Sequence, residues 1–275
     1  MRGEFVDLAG TRLYYYAAGS RGAGDPVVFL HGFPGSSHSW RQMIPLMPEG
    51  RRLVVVDLMG FGRSDFGRGD ASPPRLAHHV GLVRQLLDDL SIATSAIIGH
   101  GIGGTIAQAI AIGHPDRVSA LGLCSCPAFD VWPRRLARLA RLAAPGARLL
   151  GPAMLASFVH GSAIRGFADR DAGRRALDVA LRPYPAHLGV EALTSQLALM
   201  RDAEIAGVGA RLGTIGVPTA VIWGARDPFL PVALGKRIAA AIPGATIDII
   251  PDARHFINED APEQCARLAS TLLSR

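Results

Sequence analysis

Short apolar runs rich in β-branched residues recur along the chain: DPVVFL (25–30), RRLVVVDL (51–58), TSAIIG (94–99), VSALGLC (118–124), PTAVIWG (218–224) and TIDIIP (246–251). Each is too short for a helix and too continuously apolar for a half-exposed strand, and stretches of helical periodicity separate them. That alternation predicts a parallel sheet buried on both faces by helices. Two earlier segments, EFVDLAG and TRLYYYAAG, alternate better and meet at a glycine-containing turn, so they predict an antiparallel hairpin at one edge. The expected class is α/β, with eight strands, mostly parallel.

The strand pattern stops at about residue 129 and resumes at Val217. Helical periodicity punctuated by APG, GP and RPYP predicts an all-helical insertion over 129–212, carried on a core formed by 1–128 and 213–275. Within it, WPRRLARLARLAAPGARLL sets Arg134, Arg138 and Arg141 on one face and Leu136, Leu139, Ala140 and Ala143 on another. This is the pattern of an amphipathic lid helix with a solvated basic face.

Composition narrows the class without naming a chemistry. Of 275 residues, 49% are hydrophobic and 19% charged, which suits a packed globular core. No apolar run nears the roughly 18 residues of a membrane span, and MRGEFVDLAG lacks the apolar centre of a signal peptide, so a cytoplasmic protein away from membranes is expected. The net charge of +6 is carried by scattered arginines, with no basic tract interleaved with aromatics, which argues against nucleic acid. Cys124, Cys126 and Cys265 are too few for a disulfide framework and read as buried small hydrophobes; no Cys/His cluster has zinc spacing. Neither metal nor cofactor is expected; a small molecule is, bound to a monomer or homodimer.

In an open parallel sheet, ligands bind beyond the carboxyl ends of the strands, so the segments following each strand carry the candidate chemistry. They are HGFPGSS (31–37), DLMGFGRSD (57–65), GHGIGG (99–104), WGARDPFLP (223–231) and PDARHFINED (251–260). Gly99, Gly101 and Gly104 fit a dinucleotide-loop spacing, but that loop belongs after the first strand of its βαβ unit, with an acid closing the next strand; here the next strand ends in Cys124, Ser125 and Cys126. The same letters match a strand-to-helix nucleophile elbow, with Asp227 and then His255 following in the chain order of acid and base.

With these five loops in order, the sequence resembles the α/β-hydrolase superfamily over essentially its whole length. HGFP and GHGIGG look most like the epoxide hydrolase and haloalkane dehalogenase branch, whose nucleophile is usually aspartate, serine in related esterases. The resemblance implies an α/β-hydrolase fold with 129–212 as helical cap, Asp227 as acid, His255 as base, and the backbone N–H groups of Phe33 and Ile102 as oxyanion hole. Asp130 competes with Asp227, since some relatives carry their acid there. His100 is normally structural in this family, and His31 reads as a hydrogen-bonded loop histidine. Ile102 stands where haloalkane dehalogenases place a halide-binding tryptophan, which argues against dehalogenation.

The elbow position itself is Gly101, which has no hydroxyl, thiol or carboxylate, so no covalent intermediate forms there. Glycine suits a strained turn and removes the covalent step. What remains is a His255–Asp227 dyad as general acid and base, beside an oxyanion hole, for epoxide opening, cyclisation, lyase or carbon–carbon bond chemistry, or water-mediated hydrolysis. An apolar, polyketide-like substrate would sit against Trp40, Phe129, Trp132, Phe229 and Phe256, with Tyr184 of the cap near the mouth. Two other readings compete: an epoxide hydrolase or esterase whose Asp or Ser at 101 was replaced by glycine, and a binding protein that keeps the pocket and does no chemistry.

Overall fold

The computed structural model describes residues 3–20, 22, 24–66, 75–129, 151–199 and 202–274. Eight strands form one sheet: β1 (Glu4–Leu8), β2 (Thr11–Gly19), β3 (Val27–Leu30), β4 (Arg52–Val56), β5 (Ser95–His100), β6 (Val118–Cys124), β7 (Thr219–Gly224) and β8 (Thr246–Ile250). Their spatial order is β1-β2-β4-β3-β5-β6-β7-β8. β1 pairs with β2 and β2 with β4 antiparallel; every later pairing is parallel. The edge hairpin and the parallel body are therefore as the apolar pattern predicts.

The continuous apolar strands are explained by burial on both faces. Val28, Leu30, Val54, Val56, Ile97, Leu121 and Val221 point to one side, under the helices α1 (Leu76–Asp89), α2 (Ile102–Gly113) and α7 (Val232–Ala241). Their neighbours Val27, Phe29, Leu53, Val55, Ile98 and Ile222 point to the other, against α9 (Pro262–Leu273) and the turn Ser37–Trp40. Cys124, Cys126 and Cys265 are all buried and free, packed as small apolar groups.

The described residues between β6 and β7 are helical: α3 (151–163), α4 (Arg170–Leu181), a π-helical turn at Tyr184–Leu188, α5 (Gly189–Leu199) and α6 (Asp202–Ala210). They have their own core, in which Leu155, Val159, Phe167, Leu177, Tyr184 and Leu193 enclose Phe256 from the loop after β8. The arginine-bearing stretch from Arg134 to Arg141, with Trp132 and Asp130, lies outside the described residues. No helix of the described residues is long and apolar enough to cross a membrane.

Candidate active site

Parallel strands deliver their carboxyl ends to one edge, so the loops after β3, β5, β7 and β8 converge there across more than two hundred residues of sequence. At the end of β5 the chain turns at Gly101, with φ +54 and ψ −126, directly into α2. A Cβ on Gly103 would stand 2.3 Å from the Leu30 carbonyl oxygen, and one on Gly104 2.4 Å from Cys126 Cβ. Only bare backbone lets α2 seat so tightly against the ends of β3 and β6. Close packing thus accounts for the glycine spacing.

His255, in the loop after β8, places Nδ1 2.8 Å from Asp227 Oδ2, and its side chain is only 10% exposed. The other Asp227 oxygen accepts the backbone N–H groups of Phe229 at 2.8 Å and Leu230 at 2.9 Å, fixing a carboxylate that is wholly buried. Trp223 Nε1 donates to the Leu230 carbonyl at 3.1 Å, which holds the loop closed. Asp227 is therefore the carboxylate paired with His255, while Asp130 lies outside the described residues. With Nδ1–H donated to the carboxylate, Nε2 has no hydrogen-bond partner among the described residues, and it lies 4.0 Å from the point a Cβ on Gly101 would occupy.

The Phe33 backbone nitrogen is also 4.0 Å from that point, and Ile102 is the first residue of α2, whose N–H has no acceptor within the helix. Gly101, Phe33, Ile102 and the His255–Asp227 pair are thus brought together. His100 donates from Nε2 to the His255 carbonyl at 3.0 Å; burial, then the neighbouring His255, push its pKa down to about 3. It fixes the backbone that carries His255. His31 ties its own loop to the one after β4, with Nδ1–H on the Gly32 carbonyl at 2.9 Å and Nε2 accepting from Leu58 N–H at 3.0 Å.

Of the aromatic side chains expected to line a pocket, Phe229 meets His255 edge-on at 5.2 Å, and Phe256 lies 5.1 Å from it. Two others turn away from it, and Tyr184, though packed around Phe256, spends its hydroxyl on a structural hydrogen bond. Trp40 is fully buried on the far face of the sheet, edge-on to Phe29 at 5.2 Å with Met43 and Ile44, because its helical turn aims the indole into the core. Phe129, at φ +59, swings away and lies 3.8 Å beneath the Arg237 guanidinium on α7. Tyr184 is buried, and its hydroxyl donates to Gln196 Oε1 at 2.5 Å; Gln196 in turn donates to the Gly60 carbonyl. That phenol joins the helical layer to the loop after β4.

Sequence reasoning missed a clasp between the helical segment and the loop that carries His255. Phe167 stacks on Phe256 at 4.2 Å, and Phe256 N–H donates to the Gly166 carbonyl at 3.1 Å. Asp260, on the short helix α8 (Ile257–Asp260), accepts from Ala168 N–H at 2.9 Å and Arg254 N–H at 2.8 Å. The only sequence signal was an acid five residues beyond His255. Among the described residues, no group of three or more His, Cys, Asp or Glu is arranged to hold a metal ion.

Comparison with known proteins places this geometry. The chain is 30% identical to a haloalkane dehalogenase of Mycobacterium marinum, covering 97% of this chain and 92% of that protein. It is 28% identical to epoxide hydrolase 3 of Xenopus tropicalis, over 96% of this chain and 75% of the relative. It is also 27% identical to the dihydrolipoyllysine-residue acetyltransferase component of the acetoin cleaving system of Cupriavidus necator, where it spans 92% of this chain and 64% of that longer protein. In structure it is similar to the enol-lactonase of Burkholderia xenovorans, with a TM-score of 0.80 over 99% of this chain and 100% of that one at 24% identity, a likeness of fold. The sequence pattern described as alpha/beta hydrolase fold matches residues 25–262, and the chain belongs to that family.

Proposed function

We propose that this protein is an α/β-hydrolase-family enzyme without a covalent nucleophile, in which His255 acts as general base and acid on an apolar, oxygen-bearing organic molecule. The observation that carries this is the space above Gly101: a Cβ there would come within 4.0 Å of both His255 Nε2 and the Phe33 nitrogen, so a reacting group or water at that point meets a base and an N–H donor together. His255 Nε2 removes a proton from substrate or water. The imidazolium so formed is held by Asp227, and the Phe33 and Ile102 N–H groups stabilise the developing oxyanion, about 3–4 kcal/mol for one such donor. His255 then returns the proton to the leaving or rearranged group. Epoxide opening, cyclisation, carbon–carbon bond formation or lyase chemistry, and water-mediated hydrolysis all fit this sequence of transfers. The helical residues of 129–212 serve as the cap that excludes bulk water. A small organic substrate is the partner, and the protein works in the cytoplasm as a monomer or homodimer.

The test is turnover of a panel of epoxides and aryl esters by the native chain, Gly101→Asp, Gly101→Ser and His255→Ala. General-base catalysis predicts a loss of about 10² to 10⁴ in rate for His255→Ala, and no gain from either new side chain at 101, since each fills the reacting space. Strong hydrolysis appearing only in Gly101→Asp or Gly101→Ser would instead identify a hydrolase lacking its nucleophile. Turnover by none of the four would leave a binding protein.

A further inference from the structure

A cavity of about 350 Å³ opens between Tyr14 and Tyr16 of β2, the segment after β4, the turn Ser37–Trp40 and the C-terminal end of α4. None of Gly101, His255, Phe229 or Phe256 lines it. Its charged residues are Arg41, Arg63, Arg182 and Asp57. Two of these four are already committed. Asp57 is buried, with one oxygen accepting Ser37 N–H at 2.5 Å and the other Arg63 N–H at 2.8 Å. Arg41 is paired with Glu259 at 2.5 Å.

The other two are not. Arg63 donates to the Tyr14 hydroxyl and lies over the Tyr14 ring at 4.6 Å, both neutral partners, and neither Arg63 nor Arg182 has an ion pair among the described residues. The Tyr16 hydroxyl, on a side chain largely buried in the wall, makes no hydrogen bond among the described residues. With Arg41 neutralised by Glu259, the guanidinium groups of Arg63 and Arg182 outweigh the Asp57 carboxylate by one charge, and this donor set attracts a planar or tetrahedral oxyanion, which the guanidinium fork matches. Val179, Pro183 and the Tyr14 ring add an apolar wall, and the volume lies at the small end of ligand pockets.

We infer that this cavity is a binding site for a small organic oxyanion, a carboxylate or phosphate monoester with a compact apolar body, separate from the Gly101 site. Arg63 and Arg182 grip the anionic head and the Tyr16 hydroxyl donates to it, while the body rests on Val179, Pro183 and the Tyr14 ring. The site spans the loop after β3 and the helical segment, since Ser37 and Arg182 lie on its two sides. A ligand there ties together the two parts of the chain that flank the Gly101 site.

Isothermal titration with benzoate, phenyl phosphate and the neutral benzyl alcohol tests this on the native chain, on Arg63→Gln/Arg182→Gln and on His255→Ala. The expected result is 1:1 binding of at least one of the two anions, no binding of benzyl alcohol, a tenfold or greater loss in the double variant, and unchanged affinity in His255→Ala. Which anion binds distinguishes carboxylate from phosphate recognition. Equal binding of benzyl alcohol, retention of affinity in the double variant, loss of it in His255→Ala, or binding of neither anion would each overturn the inference. Both arginines are exposed, so the unliganded double variant keeps the native melting temperature; should it fall, Arg63→Lys/Arg182→Lys, which retains charge and loses the fork, gives the same comparison.

Discussion

At φ +54 the Gly101 backbone occupies a region that L side chains rarely adopt, and a Cβ there would press on Gly32 Cα at 3.2 Å. Gly101→Ala is therefore expected to lower stability by about 1–3 kcal/mol, seen as a lower urea midpoint at an unchanged slope. Asp227 has a different task. Its two oxygens divide between His255 and two backbone donors, so Asp227→Asn preserves the acceptor side only if the amide N–H faces His255 Nδ1, which forces the ring into the wrong tautomer. A fall of about 10⁴ in turnover is expected from that reversal, with the fold retained by circular dichroism. An unchanged rate would remove the dyad from the mechanism.

The four-residue α8 is too short to be stable alone, yet it anchors three neighbours. Glu259 receives Arg41 and Gln42 from the turn below β3, Asn258 donates to the Ser39 carbonyl at 2.7 Å, and Asp260 holds Ala168 and Arg254. These contacts make the orientation of His255 depend on the helical segment above it. Asp260→Ala leaves two backbone donors without their acceptor and is expected to cost about 1–3 kcal/mol. Amide exchange of Ala168 and Arg254 should accelerate in that variant while α2 and β5 keep their protection. Uniform acceleration across the chain would mean that Asp260 supports the whole fold and not this clasp.

Buried histidines give the whole molecule a defined acid response. Burial lowers the pKa of His31 and takes His79 and His100 down to about 3, and neither His79 ring nitrogen has a hydrogen-bond partner among the described residues. Between about 3 and the ordinary 6.5 the unfolded chain binds protons that the folded chain refuses, so stability is present above 6.5 and is lost as pH falls through this window. Each such histidine adds a slope of up to about 1.4 kcal/mol per pH unit. Glu259 and Asp260, raised by burial, act in the opposite sense, regaining stability as they protonate. Their effect cancels when His79→Leu is compared with the native chain. Urea unfolding from pH 7 to 4 should show the variant's acid loss smaller by about one proton's slope, with stability at pH 7 no lower than native. Parallel profiles would mean that His79 protonates equally in both states.

The apolar runs determined the sheet, because a strand that must be buried on both faces writes continuous hydrophobicity into the sequence: VVFL of β3 and TAVIWG of β7 are covered throughout. The pairing of Asp227 with His255 was legible in the same way, since both follow strand ends and parallel topology brings strand ends to one edge. The fate of the large aromatic residues was not. Trp40, Phe129 and Tyr184 all stand near strand ends or in the helical insertion, and sequence position is silent on which way a side chain turns; packing sent the first into the far core, the second under Arg237 and the third to Gln196. The clasp through Phe167 and Asp260, and the cavity that gathers Arg63 with Arg182, join segments some ninety residues or more apart. No local pattern encodes such contacts, because their energy depends on surfaces that exist only after the chain has closed.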